Sequence, residues 1–195
     1  MRKAFLLLIN LLLIVNLNGQ CWKDVAAGEY HNLAIKNDGS LWTWGFNGDG
    51  QLGDGSETNK NLPIQVGNDT DWKTVAGGQI HSLAIKNDGS LWAWGSNNYH
   101  QVGDGTDINR NVPIRIGLDN DWIQITGGTL FSMALKSDGT IWVWGYNSSG
   151  QLGLGSIEFV TTPTQLGAVN NWQYISSGIN HAVCTRTDGT LWGWG

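Results

Sequence analysis

The chain has 195 residues, of which only 14% are charged, while 28 are glycine and 12 are tryptophan. This length suits one ordinary domain, and glycine without a three-residue period excludes a collagen-like fibre. The formal net charge is −5, and no cluster of lysine or arginine follows residue 3. Nucleic-acid binding is therefore disfavoured, because phosphate backbones attract basic surfaces.

The first predicted element is a secretory signal peptide over residues 1–19. Its second and third residues are basic, Phe5 to Val15 form an apolar run, and Gly19 is a small residue at the cleavage edge. The apolar run is shorter than the ~20 residues that span a bilayer, which disfavours a membrane anchor. Cleavage would leave residues 20–195 as a secreted or cell-surface protein with no membrane insertion and a net charge of −7.

A repeat with a period of 50 residues begins at Trp22 and covers the rest of the chain. All 12 tryptophans and all three prolines follow this period. The repeat divides the chain into units at 22–71, 72–121 and 122–171, with an incomplete fourth unit at 172–195. Such a period predicts a solenoid, a propeller or an array.

Each unit predicts four antiparallel strands. In the first unit these are a run around Val25, His31 to Lys36, Ser40 to Trp44, and a run around Pro63. Asp38-Gly39 supplies the positive backbone angles that a tight hairpin needs. Proline cannot donate to an interior ladder, so the fourth strand is expected at a sheet edge. Four-stranded units of this length are typical of β-propeller blades.

Three motifs recur together in these units. They are G-x-x-H-x-x-A-[IL] at Gly28 to Ile35, D-G-[ST]-[LI]-W-x-W-G at Asp38 to Gly45, and N-x-x-G-Q-L-G-x-G at Asn47 to Gly55. With these motifs the sequence resembles the regulator of chromosome condensation repeat family over residues 22–195. The resemblance implies a propeller, usually of seven blades, and also brings nucleotide exchange on the small GTPase Ran and chromatin binding. The signal peptide and the acidic charge argue against both activities here.

The predicted fold class is all-β, a partial β-propeller of about three and a half four-stranded antiparallel blades after an N-terminal signal peptide. Seven blades would need about twice the repeated residues, and residue 195 falls inside a unit. The chain is therefore expected to be the N-terminal half of a longer product. A complete open arc, or two copies that close a ring, are the alternatives.

The loop GFNGDGQLGDG at 45–55 could be a calcium loop or a structural turn. Its copies at 95–105 and 145–155 keep the asparagine, the glutamine and the later glycines, but Asp49 and Asp54 are each replaced in at least one copy. Calcium requires carboxylates at fixed offsets, so a turn held by amide hydrogen bonds is favoured. The repeat residues expected to be structural are Trp42, Trp44, Trp92, Trp94, Trp142, Trp144, Gly45, Gly95, Gly145, Asn47, Asn97, Asn147, Gln51, Gln101 and Gln151.

The histidines at one repeat position, His31, His81 and His181, could suggest zinc. Phe131 fills that position in the third unit, and one histidine per blade is too widely spaced for ligands that must lie about 2 Å from the metal. We expect buried packing positions instead.

The two cysteines also point to structure rather than chemistry. Cys184 aligns with alanine in the other units, and a disulfide to Cys21 is disfavoured because they belong to the fourth and first units. A lipid on Cys21 is disfavoured because Gln20 stands where a small residue is expected. No nucleophile elbow, zinc-protease helix or P-loop occurs, so we expect no catalytic residue, metal or cofactor.

Positions that differ between units are the candidates for recognition, because function in repeat folds usually lies on loops. They include the segment 157–160 and its equivalents. We expect a non-catalytic scaffold that binds another protein, with an enzyme inhibitor as one variant. A lectin that stacks glycans on rim aromatics is the alternative, and part of an enzyme is a remote one. The candidate partner-binding residues are Tyr30, Phe46, Asp49, Tyr99, His100 and Tyr146.

Overall fold

The computed structural model describes residues 21–195, so the predicted signal peptide at 1–19 lies outside the described residues. Fifteen strands form three four-stranded sheets and one three-stranded sheet, all antiparallel. The strands are β1 Trp22–Ala27, β2 His31–Lys36, β3 Leu41–Gly45, β4 Lys60–Gln65, β5 Trp72–Gly77, β6 His81–Lys86, β7 Leu91–Gly95, β8 Arg110–Ile116, β9 Trp122–Gly127, β10 Phe131–Lys136, β11 Ile141–Tyr146, β12 Phe159–Gln165, β13 Trp172–Ser177, β14 Ala182–Arg186 and β15 Leu191–Trp194.

The sheets are arranged radially, in sequence order. Within each sheet the strands follow chain order, and the first strand of a sheet contacts the first strand of the next sheet, β1 with β5, β5 with β9 and β9 with β13. These first strands therefore lie innermost and the fourth strands lie at the rim. Small residues of the inner strands, such as Gly77 and Gly127, line a central cavity of about 480 Å³. This arrangement confirms the predicted propeller arc.

The prolines occupy the rim strands, as the sequence predicted. Pro63, Pro113 and Pro163 lie in β4, β8 and β12, each at the edge of its sheet. An edge strand leaves one row of backbone groups without a ladder partner, so a residue that lacks an N–H is tolerated there.

The hairpin between β2 and β3 differs from the prediction in its backbone angles. Of the pair Asp38-Gly39, only Gly39 has a positive φ, at 82°. Lys36 N donates to Ser40 O at 3.0 Å and Gly39 N donates to Lys36 O at 2.8 Å, as in a hairpin whose loop ends in a left-handed glycine. Ser40, predicted to begin the strand, instead belongs to the turn, because its N and Oγ both donate to Asp38 Oδ1.

The core lies between successive sheets. Leu33, Ile35 and Leu41 of the first sheet pack with residues of the second, including Trp72 and Trp94. Each buried side chain of this size contributes about 1.5–3 kcal/mol relative to exposure. A sheet is therefore stabilised mainly by its neighbours, as expected for repeat architectures.

Tryptophan burial depends on position in the arc. Trp94 and Trp144 are fully buried, and Trp72, Trp122 and Trp172 are nearly so. By contrast Trp22, on the outward face of the first sheet, is 40% exposed. Trp192 contacts Trp172 but is 46% exposed, because it lies in the edge strand of the three-stranded last sheet. The expected core role therefore holds at the inner interfaces and is incomplete at the two outer sheets.

Cys184 is a buried residue of the core between the third and fourth sheets, as predicted. Both cysteines are free, with Cys21 exposed. Burial raises the pKa of the Cys184 thiol to about 12, so this sulfur remains protonated and unreactive at neutral pH.

Candidate functional site

All the longest loops of the arc lie at one end of the sheets. His31, which begins β2, pairs with Gly45, which ends β3, so the β1–β2 and β3–β4 connections emerge together. We define the long-loop face as residues 28–30 and 46–59 with their equivalents one and two repeats later. The hairpin face, at the opposite end, holds the β2–β3 turns and the links between units.

The backbone of each long loop is clamped by its buried asparagine and glutamine. Asn47 Oδ1 accepts from Leu52 N at 2.9 Å, and Asn47 Nδ2 donates to Ser56 O at 2.9 Å. Gln51 Oε1 accepts from Asp49 N at 3.0 Å. The equivalent asparagine-to-backbone and glutamine-to-backbone bonds recur in the other two loops. The exposed positions are thus displayed on preformed loops.

The loop aspartates are engaged by protein donors. Asp54 accepts from Ser56 N at 2.9 Å and pairs with Lys60 at 3.3 Å. Asp104 is held in the same way by Thr106 and Arg110. Within residues 21–195, no group of three or more His, Cys, Asp or Glu side chains is placed to hold a metal ion. Within the same residues, no helix is long and apolar enough to cross a membrane.

Two of the candidate binding residues form a first aromatic cluster. The rings of Tyr30 and Phe46 lie 6.3 Å apart at 74°, and with Ile80 they line an apolar cavity of about 330 Å³. Tyr30 is 55% exposed. Ile80, which the sequence reasoning did not select, comes from the next unit, so the cavity lies between two neighbouring units.

Three further candidates meet in a second aromatic cluster between the second and third units. The rings of Tyr99 and Tyr146 lie 5.0 Å apart. Phe159 joins them, 6.5 Å from Tyr146 with nearly parallel rings and 5.5 Å from His100. Phe159 was missed as a single residue, although it lies inside the variable segment 157–160 that the sequence marked for recognition. Tyr99 and Phe159 are exposed.

His100 stands in a backbone conformation that favours glycine. Its φ is 61°, and the equivalent residues Gly50 and Gly150 have φ values of 78° and 77°. Its Nδ1 lies 2.9 Å from the carbonyl oxygen of Thr106, which can only accept, so Nδ1 carries the hydrogen. A non-glycine residue in this region costs about 1–2 kcal/mol. Such a cost is typical of positions retained for function.

The charges of the long-loop face are strongly unbalanced. The basic side chains that border it, Lys60 at the start of β4 and Arg110 at the start of β8, both pair with aspartates of the preceding loop. Among the described residues, its other carboxylates form no salt bridge, and they are Glu29, Asp49, Glu57, Asp107 and Glu158. The remaining candidate, Asp49, accepts from Asn109 Nδ2 of the next loop at 3.3 Å.

Glu29 is held in its charged form. Hydrogen bonds from Tyr30 and then from Gln79 hold the pKa of this exposed carboxyl below its usual value. The same contact raises the pKa of the Tyr30 phenol, so the carboxylate stays ionised and the phenol stays protonated at neutral pH.

The histidines that begin β2 and β6 form hydrogen bonds to the next sheet. His31 Nε2 lies 2.8 Å from Ser82 Oγ in the next sheet, and Ser82 Oγ donates to Gln51 O at 2.8 Å. Because the only hydroxyl hydrogen goes to that carbonyl, His31 Nε2 is the donor of the first bond. His81, Ser132 and Gln101 repeat this arrangement.

Burial keeps both of these histidines neutral. It lowers the pKa of His31 to about 4, and burial with the charge of His31 lowers the pKa of His81 to about 3. His181 differs from the prediction of a buried position, because it is exposed on the last sheet.

The sheets are arranged radially, their inner strands carry small residues, and their long loops are held by hydrogen bonds at one end. These features define the structure as a β-propeller arc. Models of the regulator of chromosome condensation (RCC1) repeat match residues 38–85, 88–135 and 138–185, and a second model of that repeat matches 22–51, 72–101 and 122–151. The chain belongs to the RCC1 repeat family.

Known proteins similar to this chain share its repeats. The crystal structure of Prp20p from Saccharomyces cerevisiae, described with its binding to Gsp1p and histones, aligns with a TM-score of 0.80 and 26% identity over 89% of this chain and 45% of Prp20p. Human WBSCR16 aligns with a TM-score of 0.76 and 27% identity over 89% of this chain and 47% of its own. The mitochondrial RCC1 domain-containing protein RUG3 of Arabidopsis thaliana is 36% identical over 53 residues, which are 27% of this chain and 12% of RUG3. The chain therefore spans less than half of each of these relatives.

Proposed function

We propose that the chain is part of an exported, non-catalytic scaffold that binds another protein through its long-loop face. The observation that carries the proposal is the pair of aromatic clusters at the long-loop face, Tyr30 with Phe46, and Tyr99 with Tyr146, Phe159 and His100, set on or next to clamped loops. Aromatic side chains dominate the binding energy of protein interfaces. Preformed loops reduce the ordering cost of association.

The family supports protein binding as the role, since RCC1-like propellers serve as protein-interaction scaffolds and Prp20p binds Gsp1p and histones. We do not carry those two partners to this chain. Its predicted export signal directs it away from them, and its net charge of −5 is unfavourable for chromatin. An extracellular protein, such as an enzyme whose active site the long-loop face would cover, is the partner that fits the proposal.

Affinity capture from the culture fluid of the source cells tests this role. The full chain is compared with Tyr99→Ala/Phe159→Ala and with Asp88→Asn/Asp138→Asn, a control pair on the hairpin face. We expect one protein to be retained by the parent and by the control and lost with the aromatic variant. Equal retention by all three forms, or hydrolysis of a substrate panel that one carboxylate substitution abolishes, would contradict the proposal.

Export is tested separately by N-terminal sequencing of the secreted product, which is expected to begin at Gln20. Retention of the uncleaved chain inside the cell would contradict that part of the proposal and leave the binding role to be judged by capture.

A lectin is the second candidate, supported by grooves between neighbouring units near the rim. Trp92 lies beside Pro113, Asp54 and Asp69 around a cavity of about 310 Å³, and an equivalent cavity of about 400 Å³ lies one repeat later. An indole face beside carboxylates can hold a sugar ring. Saturable binding on a glycan array that Trp92→Phe weakens and Tyr99→Ala/Phe159→Ala leaves unchanged would support the lectin over the protein-binding scaffold.

A further inference from the structure

The hairpin face shows how this fold holds a positive charge. Lys86 Nζ lies 4.7 Å from the Trp72 ring centre and 4.6 Å from that of Trp92, and it pairs with Asp69 at 2.6 Å and Asp71 at 3.0 Å. Lys136 repeats the arrangement, and in the fourth unit Arg186 takes the place of lysine over Trp172 and Trp192. Two aromatic rings thus hold a cation in each unit, and carboxylates pair with that cation in the second and third units.

Coulomb attraction holds Lys86 in its charged form within this unit. Partial burial alone would lower the pKa of Lys86, but hydrogen bonds and charge attraction from Asp69 and Asp71 more than offset it, so the pKa lies above its usual value. Within residues 21–195, Lys36 and Arg186 lie over two rings without a salt bridge, so the carboxylates of the second and third units add to the attraction that the aromatic faces provide.

The second aromatic cluster also combines aromatic rings with acidic residues in the same segments, and within residues 21–195 no lysine or arginine lies over its rings. Tyr146 and Phe159 have nearly parallel rings, with an interplanar angle of 26°. Glu158 precedes Phe159, and its backbone carbonyl accepts from Asn147 N at 2.8 Å, which places it next to the Tyr146 strand end. Asp107 lies on the same loop as Tyr99. Arg110, the basic residue of that loop, is occupied by Asp104.

We propose that the second aromatic cluster binds an arginine-bearing segment of the partner protein, with guanidinium groups over Tyr146, Phe159 and Tyr99 and neutralised by Glu158 and Asp107. Arginine suits this surface better than lysine, because its planar group stacks on rings and donates several hydrogen bonds at once. The inference rests on the proposed function, since it states the chemistry of the partner at the same face.

Fluorescence anisotropy with four labelled 12-residue peptides tests the inference on the full chain. The peptides repeat Gly-Ser-Xaa, where Xaa is arginine, lysine, citrulline or glutamate. We expect binding in the order arginine, lysine, citrulline, with none for glutamate, and a weaker arginine complex at higher salt. Citrulline keeps the planar shape without the charge, so equal affinity for arginine and citrulline would overturn the inference.

Substitutions measure what each side chain contributes to binding of the arginine peptide. Phe159→Ala and Tyr146→Ala are each expected to weaken the arginine peptide about 3- to 30-fold, the range of a cation–π contact. Asp107→Asn/Glu158→Gln should weaken it and flatten its salt dependence. Asp88→Asn/Asp138→Asn removes the same charge from the hairpin face while keeping the acceptor oxygens, and it should change neither quantity. Because Phe159 is exposed, its variant is expected to fold even where Tyr146→Ala does not.

The outcomes separate this inference from the proposed function. A partner whose capture depends on Tyr99 and Phe159 but is not displaced by excess arginine peptide would overturn the inference and leave the scaffold standing. Loss of self-association in Phe159→Ala, without any peptide binding, would identify a second copy of the chain as the occupant and would also overturn it. Displacement of the partner by the arginine peptide and not by the citrulline peptide would support it.

Discussion

His31 Nε2 donates to Ser82 Oγ across the interface between the first two sheets, at 2.8 Å. The third interface lacks both members of this pair, because Phe131 stands in place of histidine and Ala182 in place of serine. Both replacements are fully buried. Polar and apolar versions of the same contact therefore occur side by side in one chain, and each version is matched on both sides of its interface.

The first prediction converts the polar contact into the apolar one. Ser132→Ala leaves the buried Nε2 hydrogen of His81 without an acceptor and should lower the free energy of unfolding by about 1–3 kcal/mol. His81→Phe/Ser132→Ala reproduces the pair Phe131/Ala182 and should recover much of that loss. Urea unfolding followed by tryptophan fluorescence measures both. The single variant His81→Phe completes the cycle, and a double variant that loses the sum of the His81→Phe and Ser132→Ala effects would show that the pair is not coupled.

The second prediction concerns acid sensitivity. The pKa values of His31 and His81 are about 4 and about 3 in the folded chain, below the 6.5 of an exposed histidine. The unfolded chain therefore binds more protons than the folded chain over this range, so stability falls as pH drops below about 6.5 and the loss is complete below about 3.

Replacing the pairs His31/Ser82 and His81/Ser132 by phenylalanine and alanine should make the melting temperature depend less on pH between pH 6.5 and pH 4. The turn aspartates Asp38 and Asp88, whose pKa values are lowered chiefly by hydrogen bonds from Ser40 and Ser90, act at still lower pH. An unchanged slope in the variant would mean that other groups control the acid response.

The third prediction separates strain from function at His100. His100→Gly restores the residue found at the two equivalent positions and removes the cost of a positive φ, while losing the hydrogen bond to Thr106 and the contact with Phe159. We expect the stability to stay within about 1 kcal/mol and the captured protein to be retained less well.

Gly150→His is the matched control for that variant. A Cβ at position 150 meets nothing within 4 Å, so a histidine there should show the backbone cost of about 1–2 kcal/mol without a compensating contact. If His100→Gly were to retain the captured protein as well as the parent does, His100 would have no part in binding.

The fourth prediction concerns the outward face of the last sheet. Leu191 is 70% exposed, whereas the equivalent Leu91 and Ile141 are fully buried against a following sheet. A polypeptide of residues 20–195 expressed alone should associate with increasing concentration through this face and the face around Trp22. Leu191→Glu should reduce that association in size-exclusion chromatography with light scattering. A monomer at all concentrations would contradict the prediction.

Much of the fold was readable from the sequence because the repeat has no insertion. The fixed spacing of Trp22, Trp42 and Pro63 places three strands of each blade, and the chemistry of proline assigns the rim. The exact turn at Gly39 could not be read, since Asp-Gly suits more than one hairpin loop and the hydrogen bonds of Ser40 decide between them.

The candidate site was readable only in part. The variable positions of the loops pointed to Tyr99, His100 and Tyr146, but their meeting with Phe159 depends on how two neighbouring units are placed, which spacing along one chain does not specify. For the same reason the sequence aligned His181 with two buried histidines and did not show that its own environment is exposed.

The change from polar contacts at the first two interfaces to an apolar contact at the third also bears on how the sheets assemble. A sheet that presents histidine would bury an unpaired N–H if it stacked against Ala182, and one that presents Phe131 would crowd the space next to a serine. Nearly identical sheets can exchange places during folding, and these matched pairs penalise a wrong neighbour at the third interface. A contact first described as a hydrogen bond thus also favours the fourth sheet as the neighbour of the third.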